Sequence, residues 1–368
     1  MDKNFLKTIL SRLSKMGCHE ADVFFSKSKT SSCSSRLGKI EKKEESSTSE
    51  IGIRAIINKK QSIVSTTNLE KQNVYNLTEK VVEMAKVVPE NQYCGLAESD
   101  KIKQVSKQEV QKLEICDTYE PTMSLIEKEV IKLEESALDN KEITNSEGAE
   151  IAYSKNSICL LGSNGLEIEM EKTHSDFIVA VLAGSKDSME REYDYKSKVF
   201  FNELGDFEKI GKEVSQNAIK KLNSRKLKTC KSDVIFDSKV SSSLLRNLFS
   251  ASNAQSIVKG ISFLKDKMNN KVFNDRISII DDPLMSKKLR SKISDCEGIQ
   301  SKKKFLIEKG YLKFFFNSLA SAKQIKHEPS GHATRSASSI PSVFYSNLYM
   351  ENGEVSKRDM IKSLKKGL

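Results

Sequence analysis

Apolar residues recur every four positions at the start of the chain. Phe5, Ile9 and Leu13 predict an amphipathic helix that ends at Gly17. The next stretch, ADVFFSKS, reads as a strand and leads into a Ser-rich segment. Ile51, Ile53, Ala55 and Ile57 alternate at period two, as strands of a half-buried sheet do. A helix over 70–88 is stopped by Pro89. Leu125, Val130, Leu133 and Ala137 form a second helical stripe. From residue 141 the pattern returns to strands, with a hairpin turn at Ser163, Asn164 and Gly165. Phe207, Ile210, Val214 and Ala218 mark a helix over 206–222. SDVIFD then predicts a short strand, and Asp237 or Ser238 caps a helix over 242–260. That helix is expected to present Leu244, Leu248, Ala251 and Ile257 or Val258 on one side. A hairpin is expected across Lys309 and Gly310, and a last helix opens with Ser356 and Asp359 in capping-box spacing.

Strands in runs, with helices before and after, predict an α+β fold: mainly antiparallel sheets with helices packed on them. At 368 residues, two to three domains are expected. The pattern divides the chain at 1–98, 99–225 and 226–368.

Composition narrows the class. Hydrophobic content of 38% with 30% charged residues fits a globular chain, and no apolar run approaches the about 18 residues of a membrane span. The net charge of +11 invites a nucleic-acid reading. Its distribution disfavours one, because 101–150 carries twelve acids against seven bases. The densest basic run, KKLNSRKLKTCK at 220–231, falls between a helix and a strand, where a solvated linker belongs. The seven cysteines are scattered without a C-x-x-C, which argues against both a disulfide framework and a thiolate zinc site and suits a reducing cytosol.

One stretch imitates a zinc site. In IKHEPSGHATR, residues 325–335, His327, Glu328 and His332 stand in the order His-Glu-x-x-x-His. That motif works on a helix, whose turns bring both imidazoles to one metal. Here Pro329 biases Glu328 away from helical geometry, and Gly331 lowers helix propensity further. The surrounding Ser, Pro and Gly predict a loop, so the match is read as accidental. His19 and His174 start no constellation, and no phosphate-cradling glycine motif is present.

Several strings resemble, in order, the TldD/PmbA family and its PmbA branch, also called TldE. Among them are VPENQYCGLA at 88–97, SEGAEIAYSKNSICLLGSNG at 146–165, VIFDSKVSSSLL at 234–245 and SGHATRSASSIPSVFYSNLYM at 330–350. The resemblance implies a cytoplasmic heterodimeric metalloprotease acting on unfolded peptides. In it the TldD-type subunit holds zinc on a His-Glu-x-x-x-His helix, which corresponds by position to 242–255 here. No histidine lies in that range, so the resemblance implies no cofactor on this chain, no catalytic residue, and a non-catalytic role beside a TldD-type partner. On that reading, the loop with Ser330, Gly331, His332 and Arg335 is the candidate for lining the substrate chamber or the dimer contact. The family's description as a modulator of DNA gyrase gives an alternative, a regulatory binding protein. Relatives continue beyond residue 368, so the C-terminal domain is expected to be incomplete and open at a strand edge near 342–350.

Overall fold

A computed structural model describes residues 2–185, 188–364 and 367. Helix α1 (Lys3–Lys15) is capped by Asp2, whose carboxylate accepts from Asn4 N. It buries Leu6, Ile9 and Leu13 and closes at Gly17 with φ of 84°. Strands β1 (Glu20–Arg36), β2 (Lys39–Ile57) and β3 (Lys60–Thr66) follow, then α2 (Lys71–Val87), which ends just before Pro89. A linker carries the short α3 (Lys107–Lys112). The next elements are α4 (Met123–Leu138), β4 (Ile143–Gly162), β5 (Glu167–Ala183), β6 (Glu190–Lys198) and α5 (Phe207–Lys221).

All six strands join one antiparallel sheet in the order β3-β2-β1-β4-β5-β6. The segments 1–98 and 99–225 therefore share a single sheet, joined where β1 pairs with β4 from Asp22 opposite Gly162 to Ser35 opposite Ala149. Two helix pairs lie on the same face. One end, Val23, Phe25, Ile51 and Ile53, is covered by α1 and α2. At the other, α4 and α5 cover Cys33, Ile151, Phe177 and Val179, with Phe207 edge-on to Phe177 at 5.7 Å.

The Ser-rich stretch is the second half of β1. Its inward hydroxyls tolerate burial because they find partners: Ser35 Oγ donates to Val130 O of α4 at 3.3 Å. Leu37 and Gly38 turn the hairpin with positive φ at both positions. Buried Glu134 of α4 accepts from both their backbone N–H groups, at 2.8 and 3.2 Å, so the turn is pinned to the helix layer.

The rest of the chain is a second unit. Its elements are α6 (Ser238–Ser252), α7 (Ala254–Val258), β7 (Ile279–Asp281), β8 (Lys304–Glu308), β9 (Tyr311–Leu312), α8 (Leu319–Ile325), β10 (Ala333–Thr334), β11 (Ser342–Val343), β12 (Leu348–Met350) and α9 (Lys357–Ser363). A small sheet runs β12-β7-β8-β9, with β12 at its edge. The β8–β9 hairpin turns at Lys309 and Gly310, as expected.

Two expectations fail here. SDVIFD forms no strand: it contributes one bridge, Asp233 to Gly367, and exposes Val234 and Phe236. The expected continuous helix over 242–260 instead begins at Ser238, capped by Asp237, and breaks at Asn253. The break has a cause. Asn253 sits in extended geometry, pairs with Phe316, and caps α7 by accepting from Gln255 N. Of the expected stripe, Leu248 and Ile257 are buried and Ala251 packs against the same core, whereas Leu244 faces out.

Candidate functional site

The 330–335 loop lies inside the molecule. Asn317 and Ser330 bind each other three ways: Ser330 N donates to Asn317 Oδ1 at 2.7 Å, Asn317 N donates to Ser330 Oγ at 2.9 Å, and Ser330 Oγ donates to Asn317 O at 3.1 Å. Gly331 has φ of 80°, and a Cβ there would meet Gln300 O at 2.8 Å, so only glycine fits. His332 is 1% exposed and packed on the rings of Phe314 and Phe316. Its Nδ1 is 2.9 Å from Ser330 Oγ and its Nε2 is 2.9 Å from Asp281 Oδ2.

Ser330, His332 and Asp281 thus copy the order of a hydrolytic triad. The chemistry does not follow. A nucleophilic serine needs a hydroxyl that reaches substrate and passes its proton to the imidazole. Ser330 Oγ is enclosed and already shared with both ends of the Asn317 peptide unit. Burial lowers the His332 pKa, although Asp281 pulls the other way, so the ring stays neutral at physiological pH. The array is a hydrogen-bonded knot tying the loop to β7. Replacing His332 by alanine leaves Asp281 and Ser330 short of a partner in the interior. The expected loss is about 2–3 kcal/mol on urea unfolding, and a loss under about 1 kcal/mol would show that water already serves these groups.

The His-Glu-x-x-x-His spelling has no metal geometry. Helix α8 ends at Ile325, before His327, and Lys326 leaves it in the left-handed region. His327 and Glu328 are exposed, whereas both nitrogens of buried His332 are engaged. Among the described residues no three His, Cys, Asp or Glu side chains gather to hold a metal ion.

Beside the loop lies a seam of buried charge between the large sheet and the second unit. Asp22 of β1 stands directly opposite Arg54 of β2 and accepts from its Nε at 2.7 Å. Arg335 reaches the other Asp22 oxygen from the loop, its guanidinium 5.5 Å over the Phe24 ring. Burial pushes the Asp22 pKa up, but the two guanidiniums outweigh it and hold the carboxyl below the usual range. Arg335 Nη2 is buried without a partner. Glu297 accepts from Leu319 N at 2.7 Å, and its pKa is pushed up to about 8 by burial and by neighbouring Asp295. It is mostly the neutral acid at pH 7. Asp295 is itself buried, accepting from the N–H groups of Glu297, Ile299 and Ala333.

Of the four residues expected at a chamber or contact, Ser330 borders a cavity of about 470 Å³ that is also lined by Lys304 and His327. Gly331, His332 and Arg335 are packed inside and position the loop. The sequence reading did not single out Asp22, Arg54, Asp281, Asp295 or Glu297.

This two-unit α+β architecture, with the larger sheet docked on a loop-rich second unit, belongs to a known class of metallopeptidase-related proteins. Family models for PmbA/TldA metallopeptidase domain 1, the central domain and the C-terminal domain match residues 21–85, 110–222 and 229–368. The chain belongs to the PmbA/TldE family. It is 25% identical to a metalloprotease PmbA homolog of Buchnera aphidicola (strain APS) over 367 residues, 99% of this chain and 79% of that protein. It is also 25% identical to the metalloprotease PmbA of Escherichia coli O157:H7 over 314 residues, 85% of this chain and 69% of that one. TldE from Thermococcus kodakarensis superposes with a TM-score of 0.84 at 21% identity, covering 99% of this chain and 81% of TldE. A Bacteroides thetaiotaomicron protein described as a modulator of DNA gyrase gives 0.86 at 21%, covering 99% and 80%. Among the described residues no helix is long and apolar enough to cross a membrane.

Proposed function

We propose that this chain is the non-catalytic subunit of a cytoplasmic two-chain peptidase, paired with a TldD-type chain that carries the zinc and cleaves unfolded peptides. The observation that carries this reading is α6. At the position where the resemblance places the zinc-binding helix, Ser238–Ser252 reads SKVSSSLLRNLFSAS, with no histidine, cysteine or acid. The residues present do not fit the metal.

Exposed apolar side chains support a partner contact. Val240 and Leu244 of α6 are exposed, and beyond α7 Ile261 and Phe263 are 75% and 72% exposed. Apolar exposure of this kind marks an interaction surface.

Co-expression with the TldD-type protein of the same genome tests the reading. The two chains should elute together, and the pair should cleave unfolded peptides in a chelator-sensitive way. The pure single chain should cleave none and hold well under one zinc per chain, unchanged by His332→Ala. Stoichiometric zinc lost on replacing His327 and His332, or chelator-sensitive cleavage by the single chain, would overturn it. Salt-sensitive DNA binding with no partner chain would favour the regulatory reading instead.

A further inference from the structure

A cavity of about 160 Å³ opens at the seam, walled on one side by Arg54, Gln61 and Asn91 and on the other by Gln255, Glu297 and Gln324. Its lining mixes apolar residues such as Ala320, Ile340 and Pro341 with polar groups that are largely uncommitted. Among the described residues no protein group bonds the carboxamides of Gln61, Gln255 and Gln324, and Asn91 uses only its oxygen, accepting from Tyr93 N. Arg54 is 3% exposed and spends Nε and Nη2 on Asp22, leaving Nη1 without a protein acceptor. Glu297 is 6% exposed, with one oxygen bound to Leu319 N and the other unpartnered. Arg54 and Glu297 are the buried members of this wall, each keeping one polar atom without a protein partner, while the carboxamides around them are partly or fully exposed.

The charge says what suits these groups. Two guanidiniums, Arg54 and Arg335, share the single carboxylate of Asp22. While Glu297 is the neutral acid, the trio is one positive charge in excess. The ammonium groups of Lys59 and Lys323 and the carboxylate of Glu20 gather around Gly95, which lines the cavity. An anionic group entering here gains an arginine, an acid proton from Glu297, and a cationic approach. Guanidinium groups favour carboxylates, whose geometry matches their fork of N–H groups. The volume equals about five waters, room for a molecule of roughly six to nine non-hydrogen atoms. Carboxamides, which both donate and accept, suit an amide or amine beside the carboxylate.

We propose that this seam cavity binds a small carboxylate of amino-acid size, held by Arg54 and Glu297 and read by the four carboxamides. The assignment stands apart from the subunit reading, because both walls belong to this chain. The same chemistry is offered by a free amino acid and by the C-terminal residue of a peptide.

Calorimetric titration of the full chain with L-alanine, N-acetyl-L-alanine and L-alaninamide tests it. One or both carboxylates should bind saturably, and the amide, which lacks the anion, should not. Binding of L-alanine alone points to free amino acids, and binding of the acetylated form points to peptide ends. Gln61→Leu and Gln324→Leu, at partly exposed wall positions, should each weaken binding about tenfold and leave the thermal midpoint of the unliganded chain in place. These are preferred to Arg54→Ala, which would break the pair with Asp22. No saturable binding of either carboxylate overturns the proposal, as does equal binding of the amide or undiminished binding by both leucine variants.

Discussion

Replacing Asp22 by alanine should cost about 3–5 kcal/mol, among the largest losses available to any single side chain here. The reason is what stays behind. Arg54 and Arg335 are both buried, and Asp22 is the carboxylate each one touches. Without it two guanidiniums face each other across the seam, and each retains its desolvation penalty without the Coulomb term that offset it. Urea unfolding of the two proteins measures the difference, and a loss under about 1 kcal/mol would mean that the seam is solvated rather than closed. The same group predicts an acid dependence. Its folded-state pKa is lowered, so its stabilisation is fully present above the ordinary carboxylate range. It is lost as pH falls through the depressed folded value. Asp22→Ala should therefore flatten the acid limb of the stability curve as well as lower its plateau.

Most of the framework was legible in local pattern, because local rules set it. Asp237 caps α6, Ser356 caps α9, and the turns at 163–165 and 309–310 fall where Asn, Gly and Lys-Gly put them. The seam was not legible, and the reason is geometric. The alternation of Ile51, Ile53 and Ala55 shows correctly which face of β2 meets α1 and α2. The same alternation assigns Arg54 to the opposite face, which a half-buried sheet gives to water. In this fold a loop 313 residues from Asp22 covers that face. Arg54 within IGIRAII and Asp22 within ADVFF did carry a signal: one charge of each sign, each alone in an apolar strand. Without a register between the strands, nothing in the sequence sets them opposite each other. The two departures in the second unit share that origin. Asn253 breaks α6 because Phe316 pairs with it, and among the described residues SDVIFD has no pairing beyond the bridge of Asp233 to Gly367. Both depend on contacts distant in sequence.

The closeness of the seam itself gives the other large effect, through Gly52. This residue lies on β2 opposite Phe24, on the face that the second unit covers. A Cβ on it would stand 1.8 Å from Ala337 O, 2.6 Å from its carbonyl carbon and 2.8 Å from its Cα. All three are backbone atoms, so no rotamer change relieves the clash. The Gly52 φ lies outside the left-handed region, and strain in β2 itself is therefore not the issue. Alanine must push the 335–341 segment off the sheet. That shift pulls Arg335 from Asp22 and opens the apolar cluster of Phe24, Leu160, Ile168 and Ala337. We expect Gly52→Ala to cost about 3 kcal/mol, the upper end for overpacking, and to raise amide exchange across 335–341 while leaving α4 and α5 protected. Gly353→Ala is the control, since nothing lies within 4 Å of its Cβ position and its φ is ordinary, and it should change neither quantity. A Gly52→Ala protein as stable as the parent, with unchanged exchange at 335–341, would mean that the second unit does not rest against β2 in solution.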